Sequence, residues 1–168
     1  MTRPYANPLL LRCERGQRPA WSLVDAFREG ALVIPDYQRG RVWTPAQQAA
    51  FVGYALSRAP VPAFFVRQVN TADGFRDEIL DGQQRLTAMV AWLDGEVPAT
   101  HWQTGEPIWC VSSADSAALR SLTVPVLELP PDATRRDAIG VYLALNGGGT
   151  PHTADELERV RDLLRGEP

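Results

Sequence analysis

The sequence predicts a small α/β domain, of α+β type, built from short strands and amphipathic helices. Three observations lead there. Short apolar, strand-like runs at 32–34, 63–66, 78–80 and 124–129 alternate with stretches of helical patterning. Helix-start signals recur, most clearly Thr44-Pro45 with Gln47. The chain has 168 residues, 45% hydrophobic and 22% charged, enough for one real core and too apolar for a disordered segment.

Taken in order, residues 1–20 are rich in Pro and Arg, lack periodicity and read as an arm, leaving 21–168 as a single domain. Ser22 with Asp25 suggests a short capped helix through Glu29. Leu32, Val33 and Ile34 form a strand stopped by Pro35, and a polar loop follows. Thr44 is the N-cap of the next helix, with Phe51, Val52, Ala55, Leu56 and Ala59 as its buried stripe. The runs at 63–66 and 78–80, with a turn at 70–74, suggest a hairpin. Leu86, Met89, Val90 and Leu93 fall at i, i+3, i+4 and i+7, the most regular helical pattern in the chain. Residues 95–121 are irregular, with Trp102 and Trp109 as packing anchors and a short helix at 114–120. After the strand at 124–129, Asp132 caps a helix through Leu145 that ends at Asn146-Gly147-Gly148-Gly149. Thr153 and Glu156 start a last helix, with Leu157, Val160 and Leu164 on its apolar stripe.

Composition excludes whole classes of chemistry. All 17 basic residues are arginine. Without lysine there is no Walker-type phosphate loop, no kinase-type catalytic lysine and no Schiff-base or pyridoxal-phosphate chemistry. Any side-chain cation on a phosphate must be arginine. Only His101 and His152 are present, which excludes an HExxH zinc site and nuclease motifs built on two nearby histidines. Cys13 and Cys110 form neither a C-x-x-C pair nor a disulfide scaffold. The net charge is −3, but residues 1–41 hold seven arginines against four acids, a weak basic bias. No apolar run approaches membrane-spanning length and Leu9, Leu10 and Leu11 are too short for a signal peptide, so an intracellular, cytoplasmic protein is expected.

Three segments could carry chemistry. Asp81-Gly82-Gln83-Gln84-Arg85 lies between an apolar strand and an amphipathic helix, where free N–H groups and the helix dipole suit an anion. Gly82 lets the backbone approach a phosphate, Arg85 adds a bidentate contact, Gln83 and Gln84 supply neutral hydrogen bonds, and Asp81 could hold a metal or orient a nucleophile. The ordinary alternative is a capped helix with a solvent-facing arginine. Tyr37-Gln38-Arg39, with Arg41 and Trp43, suits anion or base recognition, or is a plain surface loop. Asn146 to Thr150 could offer glycine N–H groups to an anion, or is only a helix terminus and turn.

Together, Ile34-Pro35-Asp36-Tyr37-Gln38-Arg39 with Trp43, Ile79 to Thr87 and Leu145 to Thr150 resemble the DGQQR domain at the N-terminus of GmrSD-type, modification-dependent restriction enzymes and related phage-defence proteins. The resemblance runs from about Trp21 to Leu164; the DGQQR element is its specific part. It implies a ParB/sulfiredoxin-like fold, a short mixed sheet flanked by helices that binds nucleoside triphosphates. The implied nucleotide contacts are Tyr37, Gln38, Arg39, Gly82, Gln83, Arg85, Thr87, Asn146 and Gly148. Gln83 stands where sulfiredoxins carry their reactive cysteine, so reductase chemistry is not implied. The sequence ends at Pro168 without an HNH nuclease, and DNA cleavage by that route is not expected.

The expected function is therefore NTP-dependent phosphoryl transfer on or beside DNA. ATP or another NTP would be bound with Mg²⁺ at Asp81, with Asp81, Arg85, Asp36 and Gln84 as the catalytic set. Water as acceptor gives an NTPase; a hydroxyl on a modified base, such as a hydroxymethylpyrimidine, gives a DNA kinase. The alternatives are a non-enzymatic nucleotide- or DNA-binding regulatory module and a ParB-like DNA nickase. Homo-oligomerisation is compatible with the sequence; a membrane partner is not expected.

Overall fold

Alternation along the strands decides the layering. In the strand ending at Asp81, Ile79 packs into one apolar cluster and its neighbour Leu80 into another, so both faces of the sheet are covered. The computed structural model describes residues 8–38, 40, 42–72, 74–146 and 154–166.

The chain runs α1 (Pro8–Leu11), β1 (Glu14–Pro19), α2 (Ala20–Arg28), β2 (Leu32–Val33), α3 (Pro45–Leu56), β3 (Phe64–Thr71), β4 (Gly74–Asp81) and α4 (Gln83–Leu93). A small pair, β5 (Ala99–Thr100) and β6 (Pro107–Ile108), is followed by α5 (Ser113–Arg120), β7 (Thr123–Glu128), α6 (Arg135–Asn146) and α7 (Ala154–Gly166). The five-stranded sheet has the order β1-β7-β3-β4-β2. β1/β7 and β3/β4 are antiparallel, whereas β7/β3 and β4/β2 are parallel, so the sheet is mixed. The α/β class and the flanking helices are as the sequence predicts.

One face carries α2, α3 and α4, whose Leu23, Val52, Leu86, Met89 and Trp92 meet Phe64, Val66 and Ile79 of the sheet. The other carries α6 and α7, whose Ile139, Val141, Tyr142 and Val160 meet Leu80 and Tyr37. The hairpin β3–β4 is the centre of the sheet. Arg67 and Glu78 are direct cross-strand partners and form an ion pair at 3.3 Å. Arg67 Nε also donates to the Ala133 carbonyl, tying the hairpin to the turn before α6.

Four expectations are corrected. Glu14 to Pro19 is not part of an arm: it pairs along its length with β7, and its burial pattern is almost wholly exposed because it is an edge strand, which is why it shows no apolar alternation. Trp102 and Trp109 are not packing anchors; they are 67% and 44% exposed. The buried indole is Trp92, whose Nε1 donates to the Ile108 carbonyl and holds the small sheet to α4. Asp132 does not cap α6. Thr134 does, its hydroxyl accepting from the Asp137 N–H while the Asp137 carboxylate accepts from the Thr134 N–H. Nor does Ser22 cap α2, which begins after Pro19 without a side-chain cap. The expected capping box of α3 is present, with Thr44 and Gln47 each bonding the other's backbone. The expected Thr153 cap and the side chain of Leu157 lie outside the described residues, as does His152.

Denaturant unfolding separates these roles. Trp92→Ala is expected to cost about 3–5 kcal/mol, Thr44→Ala about 1 kcal/mol, and Trp102→Ala less than about 0.5 kcal/mol.

Candidate functional site

The site forms where β4 turns directly into α4. Gly82 is the N-cap, with φ +106°, a conformation that side chains disfavour. A Cβ at this position would lie 2.4 Å from Phe64 Cδ1. Glycine is thus required both by the turn and by the ring packed against it. No side chain caps α4, and its first backbone bond runs from Leu86 N–H to the Gly82 carbonyl. The N–H groups of Gln83, Gln84 and Arg85 consequently have no acceptor within the helix, and the positive end of the helix dipole is uncovered.

That end opens into a pocket whose floor is Asp81 to Arg85, with Gln38 and Trp43 on one wall and Tyr142 and Asn146 on the other. Its described walls enclose about 120 Å³. This is below the roughly 300–1,000 Å³ of sites that engulf a whole drug-sized ligand, and it suits one portion of a larger ligand.

Arg85 is the keystone of the corner. Its guanidinium donates to Asp81 Oδ2 at 2.6 Å, to the Ala63 carbonyl at 3.2 Å and to the Pro62 carbonyl, and lies 4.9 Å from the centre of the Phe64 ring. Burial lowers its pKa, and the Asp81 carboxylate opposes that shift. The side chain therefore spends its donors on the start of β3 and on Asp81. Gln84 is likewise engaged: its Oε1 accepts from Val42 and Trp43 N–H at 3.1 and 3.2 Å, and its Nε2 donates to the Gly40 carbonyl at 3.1 Å. One amide thus pins the loop after Gln38 onto α4. Gln38 donates to the Ile79 carbonyl and holds the same loop to β4. Trp43 packs on Phe51 of α3, with ring centres 5.6 Å apart. Asn146 Nδ2 turns back to the Tyr142 carbonyl at 2.9 Å.

The structure brings Gln38, Asp81, Gly82, Gln83, Gln84, Arg85 and Asn146 to one pocket. Three expected site residues are elsewhere. Asp36 is on the surface in an ion pair with Arg135 at 2.7 Å, which holds its carboxyl below the ordinary range, so it does not face the pocket as a base. Tyr37 is fully buried, packed edge-on against Tyr142, because this loop inserts its aromatic residue beneath α6 and α7; burial, followed by Glu78, pushes its phenol up. Its hydroxyl makes no hydrogen bond to any described residue. Thr87 is fully buried on the core face of α4 and donates to the Gln84 carbonyl. Arg39, Arg41, Gly148 and the rest of the glycine run fall outside the described residues. Tyr142 is a wall that no sequence signal marks; a lone tyrosine at a core-facing helical position carries no signal beyond packing.

His101 Nδ1 accepts from the Gln103 and Thr104 N–H groups and shapes a turn. Cys13 and Cys110 are free, half-buried thiols whose pKa is raised by burial. No group of three or more metal-ligating side chains occurs among the described residues, and no described helix is long and apolar enough to cross a membrane.

The family model described as GmrSD restriction endonuclease, N-terminal domain, matches residues 21–120. The chain belongs to that family. No curated protein matches it. The matched stretch of this GmrSD N-terminal domain holds α4, the β3–β4 hairpin and the loop carrying Gln38 and Trp43. β1, β7 and α6 lie outside it, yet β7 pairs with β3 and α6 supplies Tyr142 and Asn146.

Two substitutions test this geometry. Gly82→Ala is expected to destabilise the fold by about 1–3 kcal/mol through the backbone, and by about as much again through displacement of Phe64. Gln84→Ala should speed hydrogen exchange at the Val42 and Trp43 amides while the amides of the α4 interior keep their protection.

Proposed function

We propose that the domain binds a nucleoside triphosphate through the N-terminus of α4 and transfers its γ-phosphoryl group to water or to a hydroxyl on a modified base of DNA. The observation that supports this reading is the uncapped start of α4, backed by Gly82 and opening into a pocket; backbone N–H groups there take the place of the missing lysine. A DNA partner is proposed because the family is described by a restriction endonuclease.

In the transfer, a bond forms between the acceptor oxygen and the γ-phosphorus. The bond from that phosphorus to the β,γ-bridging oxygen breaks, NDP leaves with the electron pair, and the acceptor's proton passes to a phosphoryl oxygen or to solvent. The charge that develops on the phosphoryl oxygens is met by the α4 N–H groups and the helix dipole. The donor set suits Mg²⁺, which binds through one or two carboxylates plus substrate phosphates: one Asp81 oxygen is engaged by Arg85, leaving the other for the ion. Bound there, Mg²⁺ would neutralise charge on the phosphates. Arg85 positions that carboxylate and does not reach into the pocket as a free clamp.

A non-enzymatic nucleotide- or DNA-binding module is the second reading. It is favoured by Asp36 lying outside the pocket and by the engagement of Arg85, which leave Asp81 as the pocket's carboxylate among the described residues.

Incubation with γ-labelled NTP and Mg²⁺, with and without hydroxymethylated DNA, separates the two. Label in DNA identifies a kinase, and free phosphate an NTPase. Nucleotide-dependent stabilisation without turnover identifies a binding module, and plasmid nicking without NTP points to a nickase. Asp81→Asn should lower turnover at least about 100-fold. Wild-type turnover in that variant would remove Asp81 from the mechanism.

A further inference from the structure

Gln83 is the first residue of α4 and lines the pocket, yet it is only 7% exposed and its amide makes no hydrogen bond to any described residue. Its two polar neighbours contrast with it: Gln84 spends both ends of its amide on the loop, and Arg85 is held by Asp81 and two carbonyls. Among the described residues the Tyr37 hydroxyl is the buried side-chain atom without a partner, so the small exposed part of Gln83 includes its amide, open to the pocket and ready to meet something that enters without losing a protein partner.

What enters is limited by the amide's chemistry. An amide donates from nitrogen and accepts at oxygen, side by side in one plane. A phosphate at neutral pH is chiefly an acceptor and satisfies only the nitrogen. A nucleobase edge presents an adjacent donor and acceptor and satisfies both, as glutamine does when it binds adenine. The neighbouring walls agree: Trp43 offers an aromatic surface for a base, and Asn146, whose Nδ2 is turned to Tyr142, keeps its oxygen for the ligand.

We propose that Gln83 is the residue that reads the base of the bound nucleotide, through a paired hydrogen bond to an edge carrying one donor and one acceptor. The inference rests on the nucleotide reading above and deepens it. One phosphate meets the backbone N–H groups of the α4 terminus and the base edge meets the Gln83 amide beside Trp43, while the rest of the nucleotide lies outside the pocket of about 120 Å³. Because an amide can present its two ends in either order, Gln83 distinguishes a nucleotide from a bare polyphosphate more strongly than one base from another.

The test compares ATP, 2′-deoxy-ATP and inorganic tripolyphosphate, titrated calorimetrically onto the full chain and onto Gln83→Met. The wild type is expected to bind both nucleotides about tenfold or more tighter than tripolyphosphate, and Gln83→Met to lose that preference while keeping its tripolyphosphate affinity. Without ligand, Gln83→Met should melt close to the wild type, since the amide has no protein partner to lose. A preference retained in Gln83→Met, or nucleotide and tripolyphosphate binding equally to the wild type, overturns the inference and leaves the phosphate site standing. A preference lost with 2′-deoxy-ATP assigns the amide to the ribose hydroxyl and overturns it as well. No binding of any of the three sinks the phosphate reading itself.

Discussion

The buried guanidinium of Arg85 is the constraint on which the site depends. It joins the carbonyls that precede β3, the Asp81 carboxylate at the end of β4 and the first turn of α4, and it stacks over Phe64. An arginine so placed cannot lose any partner cheaply, because its remaining charge would be buried and uncompensated. Phe64 in turn occupies the space that a side chain at residue 82 would need. The ion pair, the aromatic ring and the glycine form one corner. Its outcome is a helix terminus whose N–H groups face a pocket instead of a cap.

The two glutamines of this corner divide the work by orientation. Gln84 turns toward the loop at 40–43 and becomes structural, carrying Trp43 to the pocket edge. Gln83, one residue earlier and rotated by the helical pitch of about 100°, turns into the pocket and keeps its amide free. The motif thus divides into three kinds of part: a frame made by Asp81 and Arg85, a fastener at Gln84, and a pocket lining at Gly82 and Gln83.

Much of the fold was legible because it is carried by local signals. The Thr44–Gln47 box, the β3–β4 hairpin and the stripe of α4 all follow from spacing alone. β1 was not legible: an edge strand with one neighbour and an exposed surface needs no apolar alternation, and Pro19 and two arginines obscure it. At the site, the sequence indicated which segments converge but not which way side chains point. Asp36, Tyr37 and Gln38 are consecutive, yet the first is on the surface, the second is in the core and the third is at the pocket. That sorting is decided by α6 and α7 covering Tyr37, a long-range contact with no local trace.

The start of α4 is proposed as an anion site made of backbone amides. It is tested most directly by following the backbone amide resonances of the ¹⁵N-labelled protein during a titration with tripolyphosphate and then with ATP. Saturable shifts largest at Gly82, Gln83 and Gln84 are expected with either ligand. Saturation without movement of these three amides, or shifts centred on the exposed arginines elsewhere, would contradict it.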